Sequence, residues 1–274
     1  MSERERVELW RAPNLAELGG VVHAFSTRLG GVSPSPFASL NLGYRTGDEA
    51  ARVTENRRRF VEALGARLDQ VICAEQVHGA GVARVDARDR GRGAEDPGSS
   101  VPGVDALATS EAGCLLLLCF ADCVPVFLAD RRRRAVALAH AGWRGSLAGV
   151  AEAAAAEMGR LGVDPGELVV AVGPCIKPCC YEVSPELAQR FADRFGDEVV
   201  RRTRWGAPSV DLAEANRRAL EALGVPKASI YIEPECTACR TDLYFSHRAE
   251  GGATGRMAAV IGLGAGDVGG CGSG

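Results

Sequence analysis

The sequence predicts a mixed α+β fold, and three observations predict it. Short apolar runs rich in β-branched residues recur along the chain, each closed by glycine or polar residues, as buried strands are. Between them lie alanine-rich or amphipathic stretches that open on side chains able to cap a helix. The one long irregular stretch, residues 88–103, lies between apolar runs that look like parts of one sheet system, so it reads as a mobile surface loop and not as a linker.

Taken in order, residues 21–25 form the first predicted strand. Thr46-Gly-Asp-Glu49 has the form of a capping box, a hydroxyl three residues ahead of a carboxylate, and predicts a helix to about Leu64. Residues 71–74 follow as a strand. The runs 115–120, 124–128 and 135–139 are further strands; those between 115 and 140 are read as a hairpin, with arginines 131–134 as a solvated turn. An alanine- and glutamate-rich helix is expected from Arg144 to about Leu161, then a strand at 168–172. Ser184-Pro185 opens a helix with proline at its first position, where the missing N–H costs nothing. Asp211-Leu-Ala-Glu214 opens another to about Leu223, and residues 230–232 form a strand. From Gly262 onward the glycine-rich tail is expected to fray.

At 274 residues without an internal repeat, the chain is expected to be a single domain over 1–274, long enough to bury a substantial core. The net charge of -3 is small and unclustered, which argues against a nucleic-acid or membrane-surface footprint. The charged N-terminus leads into no signal-peptide core, and no segment approaches the ~20 apolar residues that span a bilayer. A cytoplasmic protein is expected. Its ten cysteines should then be mostly reduced. Cys114 and Cys119 flank a run of four leucines and read as core. Cys175, Cys179 and Cys180, with Cys236-Thr-Ala-Cys239, stand out more, since Cys-x-x-Cys can seat zinc or cycle as a redox pair. Without a second Cys-x-x-Cys, however, the 236–239 pair is expected to be reduced and dispensable for chemistry.

The chemistry centres on His140-Ala-Gly-Trp-Arg-Gly145, which lies just downstream of Asp122-Cys123 and has a third partner in His78 of Gln76-Val-His78-Gly79. The chain has four histidines, and two of them sit beside glycines at strand-to-loop transitions with a cysteine of the same kind. Two imidazoles and a thiolate form a three-ligand zinc set with the fourth position open, which points to catalysis more than scaffolding. Arg144, at the start of a predicted helix, is the strongest anion-binding candidate. Asp122 is read as an orienter of a histidine, a proton shuttle or a strand-end cap.

In motif after motif the chain resembles the multicopper polyphenol oxidase (laccase-like) family, also called the peptidoglycan editing factor or zinc-dependent purine nucleoside phosphorylase family. The resemblance runs through Ser26-Thr-Arg28-Leu-Gly-Gly31-Val-Ser33, Ser39-Leu-Asn41-Leu-Gly43, Gln76-Val-His78-Gly79 and Asp105-Ala-Leu107. It continues through Ala121-Asp122-Cys123-Val-Pro125, His140 to Gly145, Gly173-Pro-Cys175-Ile, Cys179-Cys-Tyr-Glu-Val183, Cys236-Thr237, Phe245-Ser-His-Arg248 and Thr254-Gly-Arg256. It implies a mixed β-sandwich surrounded by helices, zinc on His78, Cys123 and His140, and phosphorolysis of adenosine, inosine, guanosine and methylthioadenosine together with deamination of adenosine. Purine nucleoside and phosphate are then the partners, and Arg28 and Asn41 are candidates for holding ribose or base. Copper is disfavoured: a multicopper centre needs more than four histidines, and one His2Cys site has no partner coppers to share a four-electron reduction of oxygen. The chain departs from the family at Arg248-Ala249-Glu250-Gly251, where a second arginine and an aspartate are usual. Rival readings are a cysteine hydrolase acting on peptidoglycan precursors with Cys123 as nucleophile and His140 as base, a polyphenol oxidase, and a non-catalytic zinc protein in which Cys175 or Cys180 closes the site.

Overall fold

A computed structural model describes residues 6–264. Its centre is a pair of sheets. One is five-stranded, in the order β1 (Leu9–Trp10), β2 (Val21–Ser26), β13 (Met257–Leu263), β6 (Leu115–Phe120) and β3 (Val71–Cys73). The other is six-stranded: β12 (Ile230–Ile232), β9 (Leu168–Val172), β7 (Val124–Asp130), β8 (Val136–Ala141), β5 (Ala106–Thr109) and β4 (Val82–Arg84). A ribbon of β10 (Val200–Arg202) and β11 (Pro208–Val210) stands apart.

Side chains alternate across each strand, so each sheet has two apolar faces to bury. Leu116, Leu118 and Phe120 of β6 meet Phe127 of β7 and Leu138 of β8 in the core between the sheets. Leu115 and Leu117 point the other way, onto Phe60 and Val61 of α2 (Ala50–Glu62). On the far side, Val126, Leu128 and Ala139 pack against α4 (Val150–Arg160), α5 (Pro185–Phe195) and α6 (Leu212–Ala222). The result is helix, sheet, sheet, helix: the expected sandwich with helices outside. Buried on both faces, the strands read as continuous apolar runs without alternation.

Several local expectations need correction. Residues 115–120 and 124–130 are not one hairpin: β6 belongs to one sheet and β7 to the other, and of the three strands between 115 and 141 β7 and β8 alone pair as a hairpin. The chain therefore crosses between sheets at residues 121–123. The expected helix from Arg144 to Leu161 is broken at Gly149 (φ 86°) into α3 (Trp143–Ala148) and α4. Thr46 does not cap α2. Its hydroxyl donates to the Gly43 carbonyl and accepts from Asn41, and the helix starts four residues later. Asp211 and Ser184 cap as expected, accepting from the N–H of Glu214 and Leu187. The loop at 88–103 is pinned, with Ala94 and Val101 buried and the Gly93 and Ala94 carbonyls held by Arg57. Gly262 and Leu263 belong to β13, a central strand, and the tail from 265 lies outside the described residues.

Candidate active site

The inter-sheet crossing delivers Cys123 to one end of the sandwich. Register pairs Pro125 with His140, so the histidine arrives beside the cysteine at the mouth of the β7–β8 hairpin. Alternation places His140 on the face of Val136 and Leu138, turned toward the other sheet. His78 comes from the loop that follows β3. The three donor atoms lie within 4.8 Å of one another, and the two imidazole rings meet edge to face at 4.9 Å. The sequence-predicted trio is thus brought together.

What organises the trio is Asp105, fully buried just ahead of β5. Its carboxylate accepts the backbone N–H groups of Val77 (3.1 Å), His78 (3.0 Å) and Gly79 (2.7 Å), and it meets His140 Nδ1 at 2.8 Å. Engaging Nδ1 leaves Nε2 of His140 free to face the cysteine. The three N–H bonds offset the left-handed backbone of His78 (φ 61°), a conformation that histidine tolerates better than most residues. Glycines make room for the arrangement. A Cβ on Gly142 would lie 2.9 Å from Cys123 Sγ, and one on Gly145 would lie 3.0 Å from the carbonyl of Gly79.

Electrostatics follow from this geometry. Burial pushes the Cys123 thiol up, but the His140 charge and contacts from both histidines outweigh it and bring the thiol down to about 6. Burial likewise works against charge on His140, yet the Cys123 thiolate and Asp105 push the imidazole up to about 9. In Asp105 itself burial is outweighed by His140 and the backbone N–H groups, which hold the carboxyl below its usual range. Without a metal, the centre is a thiolate–imidazolium pair oriented by a carboxylate.

A cavity of about 520 Å³ opens over the trio, the size of a small-molecule site. Arg144 lines it, with its guanidinium 4.3 Å from the centre of the Trp143 ring. Arg248 and Arg256 line it too, each hydrogen-bonded to backbone carbonyls. Tyr181 adds a phenol that burial, chiefly, and the nearby Cys123 push up to about 12, so its O–H stays a donor.

Other expected site residues do different work. Asp122 lines the cavity, but its carboxylate accepts from Thr237 Oγ1 and the N–H of Arg248, both at 2.7 Å. It ties two loops together, and the acid that orients a histidine is Asp105. Arg28 and Asn41 are absent from the cavity wall. Arg28 pairs with Glu250 at 2.9 Å and bonds the carbonyls of Ala38 and Thr241, while Asn41 is buried among Gly43, Thr46, Asp48 and Arg256. Their polar groups are consumed in holding loops. Glu250, where the family has aspartate, also accepts from Thr254 and Ser246, and Ala249 brings no cation. Neither Cys175 nor Cys180 joins the trio; Cys180 belongs to a separate cluster with Cys179, Cys236 and Cys239.

A profile described as multi-copper polyphenol oxidoreductase laccase matches residues 22–264. The chain belongs to this family. Among curated relatives it is similar to the purine nucleoside phosphorylase YlmD of Geobacillus stearothermophilus, 44% identical over 92% of this chain and 94% of the relative. A purine nucleoside phosphorylase of Deinococcus radiodurans is 41% identical over 93% and 92% of the two chains. A protein named adenosine deaminase, from an unknown prokaryotic organism, is 37% identical over 86% and 91%. The crystal structure of the Geobacillus YlmD superposes with a TM-score of 0.88 at 43% identity, covering 96% of this chain and 98% of that one. The relatives thus carry the names of purine nucleoside enzymes, while the family profile carries that of an oxidase. No helix among the described residues is long and apolar enough to cross a membrane.

Proposed function

We propose that this chain is a zinc-dependent purine nucleoside phosphorylase, acting on adenosine, inosine, guanosine and methylthioadenosine, that also deaminates adenosine. The observation that carries the reading is the convergence of His78, Cys123 and His140 under a cavity walled by arginines. The donor set suits one zinc: two imidazoles and a thiolate, one imidazole fixed by a buried carboxylate. It suits a multicopper centre poorly, since His23 is spent on the backbone of Ala12 and the described residues hold no second histidine cluster. Zinc bound there would supply Lewis acidity and a water of lowered pKa.

The chain's own groups supply the rest. Asp105 holds His78 and His140 in place before substrate arrives. Arg144, Arg248 and Arg256 have no carboxylate partner among the described residues, and their charge suits phosphate. Tyr181 offers a neutral O–H to the nucleoside. Incubating the zinc-loaded protein with adenosine, with and without phosphate, and resolving adenine, inosine and hypoxanthine tests this directly. Adenine should require phosphate, inosine should not, and both should vanish on chelation and return with zinc.

A second reading has its own observation. Asp105, His140 and Cys123 form a carboxylate–imidazole–thiolate line, the arrangement of a cysteine hydrolase that would act on a peptidoglycan precursor. Undiminished activity after exhaustive chelation would favour it and sink the zinc reading.

A further inference from the structure

Four cysteines meet away from the trio. Cys179 and Cys180 follow β9, where the N–H groups of Cys180 and Tyr181 both turn back to the Lys177 carbonyl. Cys236 and Cys239 follow β12, where the N–H groups of Cys239 and Arg240 turn back to Cys236. A parallel bridge between Cys175 and Cys236 aligns the two turns, and the N–H of Lys177 points at Cys236 Sγ from 3.3 Å. Sulfur–sulfur separations are 3.8 Å for Cys179 and Cys180, 3.7 Å for Cys179 and Cys239, and 3.4 Å for Cys180 and Cys239. All four sulfurs lie within 4.8 Å of one another, and none is in a disulfide.

Core packing does not account for this cluster, because Cys239 is exposed and Cys179 half-buried. A single ion bound tetrahedrally by four thiolates at about 2.3 Å requires sulfur–sulfur edges of about 3.8 Å. An iron–sulfur cluster would need the sulfurs farther apart than one ion does. We propose that Cys179, Cys180, Cys236 and Cys239 form a second, structural zinc site with no open position. The adjacent pair supplies what a second Cys-x-x-Cys would have supplied, so the expectation that Cys236 and Cys239 are dispensable thiols gives way to one in which they are ligands.

The site's place explains its use. Thr237, inside the Cys236–Cys239 turn, donates to Asp122, while Ile176 donates its N–H to the Asp122 carbonyl, and Ile176 and Tyr181 line the cavity. A metal joining the two turns fastens one wall of the cavity. The two short turns have little core of their own, their apolar cluster consisting mainly of Ile176, Cys180 and Cys236.

Metal analysis of the full chain purified with zinc should give about two ions per chain. A His78→Ala, Cys123→Ala variant should keep about one. Exchanged for cobalt(II), that ion should show the intense sulfur-to-cobalt absorption of a tetrathiolate. A Cys179→Ser, Cys239→Ser variant should lose one ion of the two and melt at lower temperature. A His78→Ala, Cys123→Ala protein with no metal, or with cobalt lacking that absorption, overturns the proposal whatever the cysteine variants do. So does a disulfide among the four found by non-reducing peptide mapping. Wild type holding a single ion that this variant retains would instead support the cysteine site and remove the trio's metal.

Discussion

Two glycine-rich loop systems flank the end of the sandwich, and they treat their polar groups in opposite ways. In the segment from Arg28 to Asp48, polar groups satisfy one another: Asn41 donates to Thr46 and Asp48 and accepts from Gly43 and Arg256, and Asn56 of α2 donates to Ser33 Oγ. At the strand ends that carry His78, Cys123 and His140, the hydrogen bonds stop one atom short. Asp105 saturates the backbone and one ring nitrogen, and leaves the other imidazole nitrogens and the thiolate to face each other beneath a cavity. A saturated polar network builds a scaffold, whereas donors held in place with free lone pairs can take a metal or a substrate.

The sharpest way to break this contrast is to remove a donor. Cys123→Ala or His78→Ala should abolish stoichiometric zinc at the trio and lower nucleoside turnover by more than about a hundredfold, beyond the usual cost of losing an outer-shell partner. The fold should persist, because His78 is exposed and Cys123, half-buried, only packs against the edge of the core between the sheets. Metal content, circular dichroism and turnover measured on one preparation decide it. Either variant retaining the trio's zinc with normal turnover would refute the ligand assignment.

Next comes the group that holds the donors. Asp105→Asn keeps the size but loses the charge that binds three N–H groups and His140, and should weaken zinc binding by about 10–100-fold. Competition with a chelator of known affinity measures it. An unchanged affinity would mean that the loop around His78 is preformed without the carboxylate.

Asp105 also shows what sequence reading reaches and what it misses. His78, Cys123 and His140 were legible because rare side chains beside glycines at strand ends stand out. Asp105 stands in a family motif, but its role was not legible, since an aspartate before an apolar strand looks like an ordinary cap, and that role arises only when a distant loop turns three N–H groups onto it. β13 escaped because Met257-Ala-Ala-Val-Ile-Gly-Leu263 runs straight into the glycine-rich tail, and its Gly262 reads as the start of that tail. The crossing between β6 and β7 was hidden because two apolar runs a few residues apart look like a hairpin whichever sheet each joins. Arg28 and Asn41 lie in family motifs, but nothing in a motif tells a residue that touches substrate from one that holds a loop.

A smaller effect is expected at the cavity wall. Arg144→Ala should raise the phosphate KM by about tenfold, the worth of one charge-assisted hydrogen bond. Zinc content and phosphate-independent deamination should change little, because the guanidinium rests on Trp143 and touches none of the trio. An equal fall in both activities would show that Arg144 instead positions His140 through α3.

The smallest effect on catalysis belongs to the saturated network. Arg28→Ala removes an ion pair with Glu250 in which both side chains are mostly buried, along with a guanidinium 4.4 Å from the centre of the Phe245 ring. It should cost about 1–2 kcal/mol of stability, between an exposed and a fully buried pair, while turnover shifts by less than about threefold. The loss should also depend on pH. Burial works against the Glu250 charge, but Thr254, the Ser246 N–H and Arg28 outweigh it and hold the carboxyl below its ordinary value. A carboxyl depressed in the folded state contributes stability that is present above its unfolded value, about 4.3, and that is lost as pH falls through the folded one. The gap in stability between wild type and Arg28→Ala should therefore be widest near neutrality and narrow in acid. Urea melts at neutral and acidic pH, paired with phosphate kinetics at neutral pH, test both halves. A large rise in KM with unchanged stability would return Arg28 to the substrate and erase the distinction between the two loop systems.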